Sequence, residues 1–195
     1  MEQGRPPFRR RGDALEHAIV TATWEELREV GYNRATMSAI AQRAGTSKPV
    51  LYRRWRSQPE LVLVALKRFS ATVEAPDTGA VREDLLAFLE QILTVLEVLP
   101  AGTVRGLIAD TFDDPELFDD LRTHLAGSHV HDITRTILRR GVERGELPPQ
   151  DWPARVLRLP IDLLRGDYLM TRQPLPSEAV AEIIDDVFLP LVGGG

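Results

Sequence analysis

Four side chains pose the first question. Lys48, Tyr52, Arg53 and Arg56 stand at i, i+4, i+5 and i+8, which on a helix is one broad side. They lie in and just after AGTSKPVLYRRW, residues 44–55. A guanidinium reads the O6/N7 edge of guanine in bidentate fashion, and a lysine meets a phosphate as a point charge. A tyrosine hydroxyl donates to a phosphate oxygen. A helix carrying this set on its exposed face has the chemistry to enter a DNA major groove. Val50, Leu51 and Trp55 are left to pack inward.

Such a face works only if neighbouring elements aim it. Ala41, Gly45 and Leu51 form an A-x3-G-x5-L pattern. The small Ala41 lets two helices approach, Gly45 supplies the positive φ of a sharp turn, and Leu51 locks the second helix to the first. Thr36 is the expected N-cap of the first helix, with Ile40, Ala41 and Ala44 following at helical spacing. Ser47 is the expected N-cap of the second, which should run to about Trp55. Pro49 then falls at N2, where its missing N–H costs little. Thr36 and Ser47 place hydroxyls and free N–H groups where a helix dipole favours an anion. Thr46 and Pro49 complete the candidate contact set on this turn. Arg9, Arg10 and Arg11, in a basic arm broken by Pro6, Pro7 and Gly12, are placed to trail into a minor groove or along the backbone.

Charge divides the chain in the same sense. Residues 1–68 hold thirteen Lys and Arg against seven Asp and Glu, a balance of +6. The rest holds eleven against twenty-two, a balance of −11, so the overall −5 conceals a basic head on an acidic body. The head suits a polyanion and the body is repelled by one. With no cysteine, disulfides and thiolate zinc sites are excluded. No apolar run has the length of a membrane span, and the basic N-terminus lacks the apolar core of a signal peptide, so a cytoplasmic protein is expected. Gly-x-Ser-x-Gly and phosphate-cradling glycine loops are missing, which argues against an enzyme, and no cofactor is expected. His124, His129 and His131 lack metal-ligand spacing: on a continuous helix only His124 and His131 share a face, about 10.5 Å apart along the axis.

The remaining pattern is helical, and an all-α fold is expected. Asp13 and Glu16 resemble a capping box opening a helix that ends at Gly31. Ser57 and Glu60 are a second such box, opening a helix to about Val73. APDTG, residues 75–79, is the best candidate for a domain boundary. Further helices are expected at about 80–99, 102–112, from Pro115 to near Gly145 with a break around Gly127, 153–171 with a kink at Pro160, and 177–191. The expected organisation is a flexible basic arm over 1–12, a helix-turn-helix domain over 13–57, and a body over 58–195 whose first helix, 58–73, is the linker.

GYNRATMSAIAQRAGTSKPVLYRRWRSQPELV, residues 31–62, resembles the DNA-binding signature of the TetR family of transcriptional regulators. The similarity lies in its Gly-Tyr, Thr, Ile-Ala, Ala-Gly, Ser, Leu-Tyr and Ser-x-x-Glu-Leu positions. RRGVERGELP and DDVFLPLV resemble segments of one bacterial subgroup. The resemblance implies an all-helical homodimer, a larger C-terminal domain that binds an inducer, and dimerisation through the last two helices. It carries DNA contacts onto Thr36, Ser47, Lys48, Tyr52 and Arg56. It also implies a repressor whose fourth helix swings when ligand binds, moving the recognition helices off their half-site spacing. Two positions depart from the pattern. Trp55 replaces a frequent Phe, and Gln58-Pro59 replaces a frequent Lys at the start of the fourth helix, leaving that phosphate contact to Arg54 or Arg56.

Two-fold related recognition helices would read a near-palindromic operator in double-stranded DNA. The candidate dimer interface is Val156, Leu159, Leu163, Leu164, Val180, Ile183, Ile184, Val187 and Phe188; the competing reading closes them into a monomer core. An inducer pocket among the middle helices would be lined by Phe69, Phe88, Ile92, Leu107, Thr111, Phe112, Leu138 and Tyr168, residues that equally serve core packing. A rival function keeps DNA binding without an inducer, as a constitutive or architectural protein, and a tightly filled C-terminal domain would favour it.

Overall fold

The computed structural model describes residues 12–70, 73–98, 102–125, 128–171 and 175–193, and every regular element among them is helical. The expected basic arm, with Arg9, Arg10 and Arg11, lies outside the described residues. Helix α1 (Asp13–Val30) buries Ile19, Val20, Ala22, Trp24 and Leu27 along one side. It starts on Gly12 rather than on Asp13, without a side-chain cap. Asp13 sits inside the first turn, where its charge suits the helix dipole. Glu16 is drawn away from any capping role by Arg54, 2.6 Å distant.

Helix α2 (Met37–Arg43) is capped by Thr36, whose Oγ1 accepts from the Ala39 N–H at 3.1 Å. Its far end is a Schellman motif. Gly45, at φ 65°, donates to the Gln42 carbonyl, and Thr46 donates to that of Ala41. Helix α3 (Lys48–Tyr52) has Pro49 in its first turn, and Ser47 occupies the N-cap position without a side-chain bond. The helix is shorter than its apolar pattern suggests. The Arg54 and Trp55 N–H groups both donate to the Leu51 carbonyl at 2.9 Å, closing the last turn, and buried Trp55 anchors the chain there. Helix α4 (Gln58–Ser70) begins with a capping box displaced by one residue. Ser57 Oγ accepts from the Glu60 N–H, but the Glu60 carboxylate accepts from the Arg56 N–H at 2.6 Å.

The body comprises α5 (Val81–Glu97), α6 (Thr103–Thr111), α7 (Pro115–Leu125), α8 (Ser128–Glu143) and α9 (Ala154–Met170). The last segment is α10 (Ser177–Glu182), a π-helical stretch (Ile183–Phe188) and α11 (Leu189–Gly193). Helix α7 ends at Leu125 and α8 begins at Ser128, and Gly127, where a break is expected, lies outside the described residues. Pro160, where a kink is expected, lies buried inside α9, which runs from Ala154 to Met170. The loop before α5 is pinned: fully buried Asp84 accepts from the Thr78 N–H at 2.5 Å and its hydroxyl at 2.8 Å, and pairs with Arg144 at 3.3 Å.

The cores explain how the halves are joined. One cluster closes the helix-turn-helix around Ile19, Ile40, Ala41, Leu51, Trp55 and Leu61. Another fills the body with Leu85, Phe88, Ile137, Leu164, Ile184 and Phe188. Between them a cluster takes Trp24, Leu27 and Tyr32 from one half, Leu107, Leu117 and Leu121 from the other, and Val62, Leu63 and Leu66 from α4. Helix α4 is thus a shared wall rather than a tether.

Candidate nucleic-acid interface

The Schellman turn at Gly45 and the fully buried Leu51 fix α3 against α2. Arg43 fixes α2 in turn, reaching Glu26 at 2.9 Å, Glu29, and Glu25 at 3.9 Å, all on α1. On this frame Ser47, Lys48, Pro49, Tyr52 and Arg53 are exposed together, and Thr46 is half-buried beside them. Lys48 Nζ lies 5.6 Å from the centre of the Tyr52 ring, a cation–π contact that keeps both on one face. Exposed Thr36 uses a lone pair of Oγ1 on its own helix, leaving the hydroxyl proton to donate outward. Thr46 has spent its backbone N–H on the turn.

The basic residues differ in their engagement. Arg56 stands beyond α3, in the turn to α4, so it does not share the recognition helix with Lys48 and Tyr52. It pairs with Glu60 at 3.6 Å and with Glu116 of α7 at 3.8 Å. Arg54 is taken by Glu16. Both residues offered as substitutes for the missing lysine sit in exposed ion pairs, which a phosphate can displace, whereas Arg53 has no ion pair among the described residues. Gln58, at the lysine's place, donates to the Tyr32 carbonyl at 3.1 Å.

Tyr32 is the junction's main feature, and its role was not visible in the sequence. Its ring is 5% exposed and lies on Gly106 of α6, where an added Cβ would stand 2.5 Å from Tyr32 Cδ1. Its hydroxyl donates to Asp110 Oδ2 at 2.9 Å. Burial first, then this bond to a carboxylate, raises the phenol well above its ordinary pKa. Lys67 of α4 pairs with Asp120 of α7, a further link between the two halves. His124 of α7 is held below its ordinary pKa by burial, with Lys67 and Arg165 adding repulsion.

The expected pocket residues do not converge. Phe88 and Leu138 pack in the body core, Leu107 in the shared cluster with Phe69 against it, and Tyr168 in a small cluster with Leu96 and Val104 that Ile92 covers. Phe69 stacks on Trp24 at 4.3 Å. Thr111 is buried, its hydroxyl spent on the Leu107 and Ile108 carbonyls. Tyr168 donates to the Leu96 carbonyl at 2.9 Å. Phe112 is not interior: at the end of α6 it is 70% exposed and meets Phe118 edge-on.

The expected dimer face divides. Leu164, Val180, Ile183, Ile184 and Phe188 are buried within the protomer, as the competing reading has it. Val156, Leu159 and Leu163 stay half-buried, and Val187 is exposed. Leu191 is half-exposed in α11 and was missed because it lies at the end of the expected helix. His131 Nε2 is buried with no partner among the described residues, and the side chain of His129 lies outside them. No helix among the described residues is long and apolar enough to cross a membrane.

Comparison with known proteins agrees in both halves. Residues 19–65 match the model for bacterial regulatory proteins of the tetR family, and residues 75–187 match that of the tetracyclin repressor-like C-terminal domain. An uncharacterized HTH-type transcriptional regulator of Mycobacterium tuberculosis is 34% identical over 90% of this chain and 86% of its own. A DNA-binding transcriptional repressor, TetR, of Mycobacteroides abscessus is 30% identical over 95% of this chain and 97% of its own. The crystal structure of a TetR family transcription regulator superposes with a TM-score of 0.71 at 24% identity, covering 89% of this chain and 96% of that one.

Proposed function

The chain belongs to the TetR family and is a DNA-binding transcriptional regulator, and from that premise we propose that it is a dimeric repressor released from a palindromic operator by a small-molecule inducer. The observation that carries the DNA-reading part is the exposed face of α3, where Lys48, Tyr52 and unengaged Arg53 project from a turn locked by Gly45 and Leu51. Tyr52 and Lys48 contact phosphates, Arg53 reaches a base edge or phosphate, and Thr36 and Ser47 donate hydroxyls to the backbone. Repression is supported by likeness to the Mycobacteroides abscessus protein.

Dimerisation uses Val156, Leu159, Leu163, Val187 and Leu191, the apolar residues of the last helices that the protomer core leaves accessible. Inducer binding is placed among the middle helices beside Ile92 and Tyr168, which share one apolar cluster with Leu96 and Val104, and the ligand selects a conformer in which these helices part. A shift of α6 is passed to the DNA-binding half by Tyr32, which α6 holds at both ring and hydroxyl.

Binding sites selected from fragmented genomic DNA of the source organism test this reading. The expected outcome is one strong palindromic site bound by a dimer. Arg53→Gln is expected to weaken binding and to lower the slope of log K against log salt by about 0.9, one phosphate's worth, if Arg53 meets the backbone. If it reads a base, discrimination at one position falls by about 1–3 kcal/mol instead. Uniform weak binding to every fragment would overturn the operator reading. Equal operator affinity with and without a verified ligand would overturn the inducer.

A further inference from the structure

We propose that the α8–α9 hairpin carries a binding groove for a small organic anion, a carboxylate with an apolar body, separate from the interior where the inducer is placed. The groove is open to solvent on one side and offers about 500 Å³, within the range of small-molecule sites. Val142 and Leu157 give it an apolar floor, Trp152 an aromatic wall, and Arg135 and Arg139 a cationic side. The two arginines are four residues apart on α8, so their stems rise on one face about 6 Å apart along the axis. The hairpin is the basic part of an acidic body: residues 128–170 hold seven Arg against six Asp and Glu, whereas residues 69–195 as a whole balance at −11.

The local bonding leaves these groups ready for an occupant. Arg135 pairs with Asp132 at 2.9 Å and Arg139 with Glu143 at 2.5 Å, each on the same helix and each exposed. Solvated pairs of this kind hold their partners weakly and exchange for a better-placed carboxylate. A ligand carboxylate offers two oxygens to a guanidinium fork while its body covers the floor. Asp151, on the loop side, is the one carboxylate among the lining residues, and it sets the polarity of the site: an anion's head belongs at the α8 side, its body toward the indole. The Trp152 Nε1–H is buried without an acceptor among the described residues.

The groove is preformed. Gln150 donates to the Val192 carbonyl at 2.8 Å, fastening the loop to the chain's last helical turn. At the other end of the loop Gly145 and Glu146 close α8 with a Schellman pair, donating to the Val142 and Gly141 carbonyls. A loop tied at both ends loses little freedom on binding.

The test uses the full chain labelled with ¹⁵N, whose three tryptophans give three indole signals, with Trp152 assigned through Trp152→Phe. The probes are 2-naphthoate, 4-phenylbutyrate and octanoate, with 2-naphthalenemethanol as the neutral counterpart of the first. The expected result is a saturable shift of the Trp152 indole by at least one carboxylate. Affinity should fall about tenfold or more in Arg135→Gln/Arg139→Gln and for the neutral alcohol, the loss expected for a charge-assisted pair. Both arginines are exposed, so the double variant should keep its unfolding midpoint; if it does not, Arg139→Gln alone carries the comparison. Three results overturn the proposal: no saturable response to any of the three carboxylates, equal affinity in the variant, or shifts at Trp24 and Trp55 with Trp152 unmoved.

Discussion

Gly45 and Gly106 both stand where a side chain is disfavoured, for opposite reasons. Gly45, in the turn of the DNA-binding half, has φ 65° and open space where a side chain would go: within 4 Å an added Cβ meets nothing. Its requirement is conformational, since only glycine adopts that backbone without penalty. Gly106 sits within α6, and there a Cβ would lie 2.5 Å from the ring of Tyr32. Its requirement is steric, imposed by a residue far away in the chain. The turn is thus shaped by its own local chemistry, whereas the junction is shaped by two halves pressing together.

The largest effect should come from Gly106→Ala. Forcing the Tyr32 ring aside is an overpacking change, expected to cost about 1–3 kcal/mol in urea unfolding. Paired with Tyr32→Leu the cost should vanish, and helix propensity should turn it into a gain of up to about 1 kcal/mol. An equal cost in both backgrounds would break the contrast, because the defect would then belong to α6 itself. Gly45→Ala should cost about 1–2 kcal/mol, the penalty for a side chain in the left-handed region. Gly45→Asn should cost less, since asparagine visits that region. Truncating neighbours should rescue neither, and rescue would mean that packing shapes the turn too.

The smallest effect concerns pH and sharpens the same distinction. Protonating His124 is disfavoured in the folded chain, first by burial and then by Lys67 and Arg165. The unfolded chain, with an ordinary histidine near 6.5, therefore binds more protons as the pH falls. Stability present above about pH 6.5 should decline on acidification from there down to the lower folded value. Thermal unfolding at pH 7.5 and 5.5 measures the decline, and His124→Gln should reduce it. An unchanged decline in that variant would assign the effect to other groups.

What the sequence made legible follows the same division. The α2–α3 turn could be read because Ala41, Gly45 and Leu51 act across ten residues, where helix geometry relates position to direction. Tyr32 and Asp110 are 78 residues apart, and nothing local marks Gly106 as a seat rather than a weak helical residue. Hydrophobic periodicity likewise found the last helices without separating protomer core from accessible face: Phe188 and Val187 are neighbours in sequence, one fully buried and the other 43% exposed. Aromaticity misplaced Phe112 for the same reason, since a ring alone does not say which side of a helix end it occupies. Arg56 belonged to the helix by spacing and lies outside it because α3 ends at Tyr52, its last turn closed on the Leu51 carbonyl.

The shared cluster around Val62, Leu63 and Leu66 also limits how this molecule can be taken apart. A chimera that kept residues up to the end of α4 and supplied a foreign sensor would leave Trp24, Leu27, Tyr32 and those three α4 residues without the partners they take from Leu107, Leu117 and Leu121. The reading head is therefore not a portable module. Anyone grafting it must bring α6 and α7 along, or redesign the replacement's surface to match an apolar socket already cut to shape.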